Sequence, residues 1–140
     1  MERDAGTLIF EIAKSEMAYT DQRPGEYSVV ILAAAVREGW QLPVFIQGDH
    51  FQFAMKDYQK DPVAVTEGIK KLTKEAIAAG FFNIDIDSST LVVLERPTVK
   101  DQQRDNFERC AELTAFIRGL EPAGITISVG GEIGEVGKVN

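Results

Sequence analysis

The chain has 140 residues, 44% of them hydrophobic, which is enough for one globular domain with its own core and gives no sign of a second. A formal net charge of −7 without any lysine or arginine cluster disfavours nucleic acid and anionic membranes as partners. No apolar run approaches a membrane span, the opening Met-Glu-Arg-Asp is unlike a secretory leader, and a lone Cys110 excludes an internal disulfide and a thiolate zinc cluster, so a cytoplasmic protein is expected.

Thr7 to Ile12 predicts a first strand, an apolar run carrying one acid, Glu11, which is expected to be rim-exposed or salt-bridged. Ser15 to Gly25 has no clear periodicity and contains Asp21, Pro24 and Gly25, which predicts a loop able to line a pocket. Glu26 to Glu38 predicts a helix whose run from Val29 to Val36 is apolar nearly all round and is therefore expected to be covered on both sides. Pro43 to Gln47 predicts a short buried strand that ends at Gly48, Asp49 and His50, the only histidine of the chain. A second loop is expected from Phe51 to Lys60.

Asp61-Pro62 is a helix start, with aspartate as N-cap and proline in the first turn. Val65, Ile69, Leu72 and Ala76 mark one buried stripe of a helix ending near Ala79, with Gly80 as its cap. Phe82 to Asp87 alternates, placing Ile84 and Ile86 on one face and Asn83, Asp85 and Asp87 on the other, and that second face is too polar for an ordinary core. Pro97-Thr98, with Asp101 three residues on, opens the last helix, whose inward stripe is expected to be Phe107, Cys110, Ala111, Thr114 and Ile117; Cys110 is read as a packed thiol. A fourth strand, Ile125 to Val129, runs into the glycine-rich segment Gly130 to Gly137.

This alternation of strand and helix predicts an α/β domain with a parallel sheet, suited to a barrel or a doubly wound fold. Neither G-x-G-x-x-G nor a Walker loop is present, so a nucleotide fold has no motif support. In a parallel barrel the C-terminal strand ends share one face, which would bring Asp49, His50, Asp87 and Glu132 together, with Glu11 and Asp85 nearby. Several carboxylates around one imidazole repel one another unless a cation sits among them. One histidine among acids favours Mg²⁺ or Mn²⁺ over Zn²⁺. The competing reading is an ordinary loop histidine with solvated acidic rims.

Asp49-His50 after an apolar strand, Ile86-Asp87-Ser88-Ser89 after the next, and Glu132-Ile133-Gly134 with Gly137 after a third resemble the class II, metal-dependent ketose-bisphosphate aldolases. The resemblance runs from about Thr7 onward. It implies a (β/α)8 barrel in which Asp49 moves a proton at the C4 oxygen of the cleaved bond and His50 binds a catalytic Zn²⁺ or another divalent cation. Glu132 falls on the family's metal-binding glutamate, and Asp87 falls where an acid lies near an alternative metal position. The implied reaction is retro-aldol cleavage of a ketose (bis)phosphate.

The chain departs from the family pattern at Gln47, where a histidine is usual, and at Lys138, where a glycine is usual. The resemblance reaches only the second to fifth strands of the barrel, about four βα units, and two further metal-ligand histidines have no counterpart. A barrel of about 250 residues does not close on four strands. The expectation is a partial barrel completed by a second copy, as a homo-oligomer, or by a missing barrel half. Against the aldolase reading stands a non-catalytic half-barrel that binds or scaffolds, and more distantly a sugar-phosphate isomerase on the same fold.

Overall fold

The computed structural model of the chain describes residues 7–134. Four strands, β1 (Leu8–Ala13), β2 (Val44–Asp49), β3 (Asn83–Ile86) and β4 (Ser128–Gly131), form one parallel sheet in the order β1-β2-β3-β4. The helices are α1 (Lys14–Tyr19), α2 (Pro24–Arg37), α3 (Met55–Tyr58), α4 (Pro62–Ala78), α5 (Val99–Gln102) and α6 (Arg104–Arg118), with a 3-10 turn at Ser89–Leu91. Because each strand lies beside its predecessor, every crossover steps in the same direction, and right-handed connections then place the crossover helices on one face. The contacts agree, since α2 packs on α4 and α4 on α6. None of the described helices is long and apolar enough to cross a membrane.

The two faces of the sheet differ as the alternation requires. Ile12, Ile46, Ile84 and Ile86 are buried toward the helices, where they join Ile69, Ala76, Ile77, Leu113 and Ile117 in the core. The opposite face carries a polar row in register, Glu11 beside Gln47, Gln47 beside Asn83, and Asn83 beside Ser128. Glu11 is exposed, as expected, and accepts a hydrogen bond from Gln47 Nε2 at 3.3 Å. The third strand's polar face is divided: Asn83 and Asp85 are half-buried on this side, whereas Asp87, just past the strand, is buried.

Local chemistry explains most boundaries. Asp61 caps α4 by accepting from the Ala64 N–H at 2.9 Å, and Gly80 takes a positive φ of 88° after the helix. Thr98 accepts from the Asp101 N–H at 3.1 Å, but the helix it opens is only α5; the chain breaks at Gln103 before α6 begins. Four expectations are corrected. Residues 14–19 form α1 instead of a loop, held by Glu16, whose carboxylate accepts from the Ala13 N–H at 2.8 Å, and by the buried Met17. Six residues are too few to show a helical period, and Ala13 has no oxygen to return the bond, so the cap is only half written. The helix α2 is covered on one side only, leaving Val29, Val30, Leu32 and Val36 exposed.

The third correction concerns α6. Its buried residues are Asn106, Leu113 and Ile117, while Phe107 is 45% exposed and Cys110, Ala111 and Thr114 lie along an apolar groove that Ile133 also lines. Ile117 of the expected stripe is fully buried and Cys110 packs against the core, so the correction falls on Phe107, Ala111 and Thr114; Asn106 takes an interior position, where its polar groups find partners. Short helix α3 likewise interrupts the loop expected from Phe51 to Lys60.

Gly48 carries a packing demand that alanine cannot meet. A Cβ there would stand 2.5 Å from Cζ of Phe51, a ring with no exposed surface and so nowhere to move. Gly48→Ala is expected to cost about 1–3 kcal/mol, read as a lower urea midpoint at unchanged slope.

Candidate metal centre

The turn after β2 delivers the central imidazole. Beyond Asp49 the backbone stays laced to the end of β3, with the Phe51 N–H donating to Asp85 O at 3.0 Å and the Phe53 N–H to Asp87 O at 2.9 Å. The Phe51 and Phe53 side chains are fully buried and pin this segment. His50, just before them, adopts φ 44°, a left-handed conformation that β-carbon crowding disfavours for any residue but glycine. Its ring is oriented from both sides: Nδ1 lies 2.5 Å from Asp49 Oδ2, and Nε2 lies 3.4 Å from Glu132 Oε1.

Asp87 arrives from the end of β3 and is 1% exposed. Its Oδ1 accepts from the Ser89 N–H at 3.2 Å and the Ser89 hydroxyl at 2.6 Å, and its Oδ2 accepts from Gln52 Nε2 at 2.5 Å. Glu132 follows β4, and its backbone carbonyl accepts from Asn106 Nδ2 at 2.9 Å. Asn106 is buried in turn against Ser88, whose hydroxyl donates to Asn106 Oδ1 at 2.6 Å. Asp85 sits on the polar face, close against Gly130, where a Cβ would fall 2.8 Å from its Oδ1.

The electrostatics are those of crowded acids. Burial pushes the Asp85 carboxyl up, with the neighbouring Asp49 and Asp87 charges adding to the rise. Glu132 is likewise raised, first by desolvation and then by Asp87 and Asp85. His50 is raised chiefly by its hydrogen bond to Asp49. Beside them, Lys14 at the start of α1 is pulled below its ordinary value by burial and donates to the Gln52 carbonyl at 2.6 Å. A cavity of about 810 Å³ opens between β1, α1 and the turn after β2, lined by Glu11, Lys14, Tyr19, Asp49, His50 and Gln52.

One ligand atom from each of His50, Asp87 and Glu132 lies within 4.8 Å of the others, and the same holds for Asp49, His50 and Asp85. No family model, curated protein or solved structure matches this chain. The donor set therefore has to be judged by its own chemistry. One imidazole among carboxylates, of which Asp85 and Glu132 are raised first by burial and then by neighbouring acids, suits a hard or borderline divalent cation, whose charge would relieve that repulsion.

The four residues singled out from the sequence thus fall in two triads that share His50, Asp49 in one with Asp85 and Asp87 and Glu132 in the other. Sequence reasoning misses two residues: Lys14, which falls between the expected first strand and the expected loop from Ser15, and Gln52, which has a signal only in its position two residues after His50. Gly134 is buried, with a Cβ position 2.0 Å from Val92 Cγ2. Gly137 and Lys138 lie outside the described residues.

The raised His50 gives a signed pH dependence. A group whose folded pKa exceeds its unfolded value stabilises the fold fully below the unfolded pKa, and that contribution fades as pH rises through the raised value. The metal-free chain should therefore lose a small increment of stability above pH 6.5, the ordinary histidine value. Half exposure of the ring keeps the increment small. Paired urea titrations of the wild type and H50Q at several pH values would check it, with a flatter profile expected in H50Q.

Proposed function

We propose that this chain is the metal- and proton-handling part of a class II aldolase-like carbon–carbon lyase acting on a ketose (bis)phosphate. The observation that carries the reading is the meeting of His50, Asp87 and Glu132 ligand atoms within 4.8 Å at the C-terminal ends of consecutive parallel strands, where α/β enzymes place their chemistry. These three residues would hold a divalent cation, zinc or another, with Asp49 and Asp85 as neighbouring acids. Such an ion, when bound, supplies Lewis-acid polarisation of the ketose carbonyl and a sink for the charge left by cleavage.

The chain's own residues do the rest. Asp49 lines the cavity and is the proton carrier for the substrate's C4 oxygen, while its Oδ2 fixes His50 Nδ1 and so aims Nε2 at the Glu132 side. Asp87 is presented by Ser89 and Gln52. The cavity between β1, α1 and the turn after β2 is large enough for a sugar phosphate.

The architecture in this reading is a partial (β/α)8 barrel. Consecutive strand order, helices on one face and exposed apolar surface on α2 and along α6 favour it. Completion by a second copy or by a missing barrel half would extend the strand edge.

A second reading, a non-catalytic binding or scaffold module, is favoured by the single histidine, which leaves the site with one nitrogen donor. Cleavage of ketose bisphosphates, assayed with zinc, manganese or no added metal, separates the two. Metal-dependent release of triose phosphate supports the lyase, and metal binding without cleavage at any metal concentration supports the module. Sedimentation at increasing concentration reads association directly, and a monomer throughout would sink the homodimer.

A further inference from the structure

Gln52 is exposed, yet its backbone and side chain are tied in three directions. Its N–H donates to the His50 carbonyl at 2.6 Å, closing a tight turn about Phe51. Its own carbonyl accepts from Lys14 Nζ at 2.6 Å, and its side-chain Nε2 donates to Asp87 Oδ2 at 2.5 Å. One residue therefore joins the turn that carries the imidazole to the carboxylate at the end of the neighbouring strand. The long, half-buried Lys14 side chain anchors it to the first helix.

We infer that Gln52 is a positioning residue, anchored by Lys14, that holds His50 and Asp87 in the mutual geometry a divalent cation requires. The physical reason is that a ligating carboxylate with free torsion samples many orientations, whereas one whose oxygens are fixed by donors offers its remaining lone pairs in a set direction. Asp87 has both oxygens fixed, Oδ1 by Ser89 and Oδ2 by Gln52. Among the described residues, only the Gln52 bond refers that carboxylate to the segment bearing His50.

The inference rests on the metal reading proposed above, and the experiment separates the two. Co²⁺ is titrated into wild type, Q52M and K14R, following its visible absorption, which reports both affinity and coordination geometry. Q52M keeps the length of the side chain and loses the donor; it is expected to weaken Co²⁺ binding about 10–100-fold and to alter the band shape. K14R keeps a cation able to reach the Gln52 carbonyl and should bind within a few-fold of wild type. In the metal-free wild type, the Gln52 side-chain amide protons should exchange slowly and resonate away from those of free glutamines, and D87A should remove both properties.

Co²⁺ binding by Q52M equal to wild type would overturn the positioning role while leaving the metal site standing. A Gln52 amide indifferent to D87A would overturn the hydrogen bond on which it depends. A wild type that binds no Co²⁺ would overturn the metal reading and the inference together.

Discussion

Replacing His50 with glycine should make the metal-free chain about 1 kcal/mol more stable at pH 9 while abolishing measurable cation binding at the centre. His50 holds φ 44°, where an L residue with a side chain is penalised by about 1–2 kcal/mol and glycine is not. Glycine gives back part of that gain through the greater freedom of its unfolded chain. The ring's partners reduce it little at high pH: the imidazole is then mostly neutral, and its contacts to Asp49 and Glu132 are half exposed. H50N should fall between wild type and H50G, because asparagine tolerates the left-handed region better than histidine.

The same substitution removes the only nitrogen donor in the set, a heavier loss than the roughly 10–100-fold that removing an orienting partner costs. Urea unfolding at pH 9 and Co²⁺ titration measure the two halves. A destabilised H50G would mean that the imidazole contributes more to the fold than its backbone costs. A stabilised one would show backbone strain retained at the position where the chemistry is proposed.

His50 also marks the limit of what the sequence could reveal. Its place at the end of an apolar strand was legible, because short buried strands bounded by proline and glycine announce themselves, and the period of two fixed which faces Ile84, Ile86 and Asp85 would occupy. Convergence with Asp87 and Glu132 followed from parallel order alone. The strain at His50 was not legible, since it arises from the pairing of Phe51 and Phe53 with carbonyls on another strand. The Gln52 bonds to Lys14 and Asp87 are long-range for the same reason.

The errors in the helices have a common origin. Periodicity reports an apolar face, but it does not say whether the interior of this particular sheet will accept that face. On α6 the expected stripe divides: Ile117 is buried and Cys110 packs against the core, whereas Phe107, Ala111 and Thr114 line a groove and Asn106 takes an interior place. On α2 the continuous run from Val29 to Val36 was correctly seen as apolar on every side, yet only one side is covered. Both surplus apolar surfaces belong to the outer crossover helices of the sheet.

Its interior place on α6 makes Asn106 the second large-effect position. It is 6% exposed and joins three elements, with Oδ1 and the backbone carbonyl accepting from the Ser88 hydroxyl after β3 and Nδ2 donating to the Glu132 carbonyl after β4 and to Gln103 Oε1. Leucine shares the γ-branched outline, though it is bulkier, and would strand buried polar partners, each of which costs about 1–3 kcal/mol when left unsatisfied. The Ser88 hydroxyl keeps the Asn106 backbone carbonyl, so the main loss falls at the Glu132 carbonyl. N106L should therefore cost about 2–3 kcal/mol in urea unfolding, whereas S88A should cost about 1 kcal/mol.

N106D separates packing from bonding. It still accepts from Ser88 but turns the donor aimed at the Glu132 carbonyl into an oxygen, adding a negative charge beside acids that are already crowded. At neutral pH it should be at least as unstable as N106L, recovering toward S88A as acid protonates the new carboxyl and restores a donor. Because Asn106 holds the backbone of Glu132 and touches none of the candidate ligand atoms, both variants should also weaken Co²⁺ binding. A stability loss with cation affinity unchanged would mean that Glu132 is placed by β4 alone.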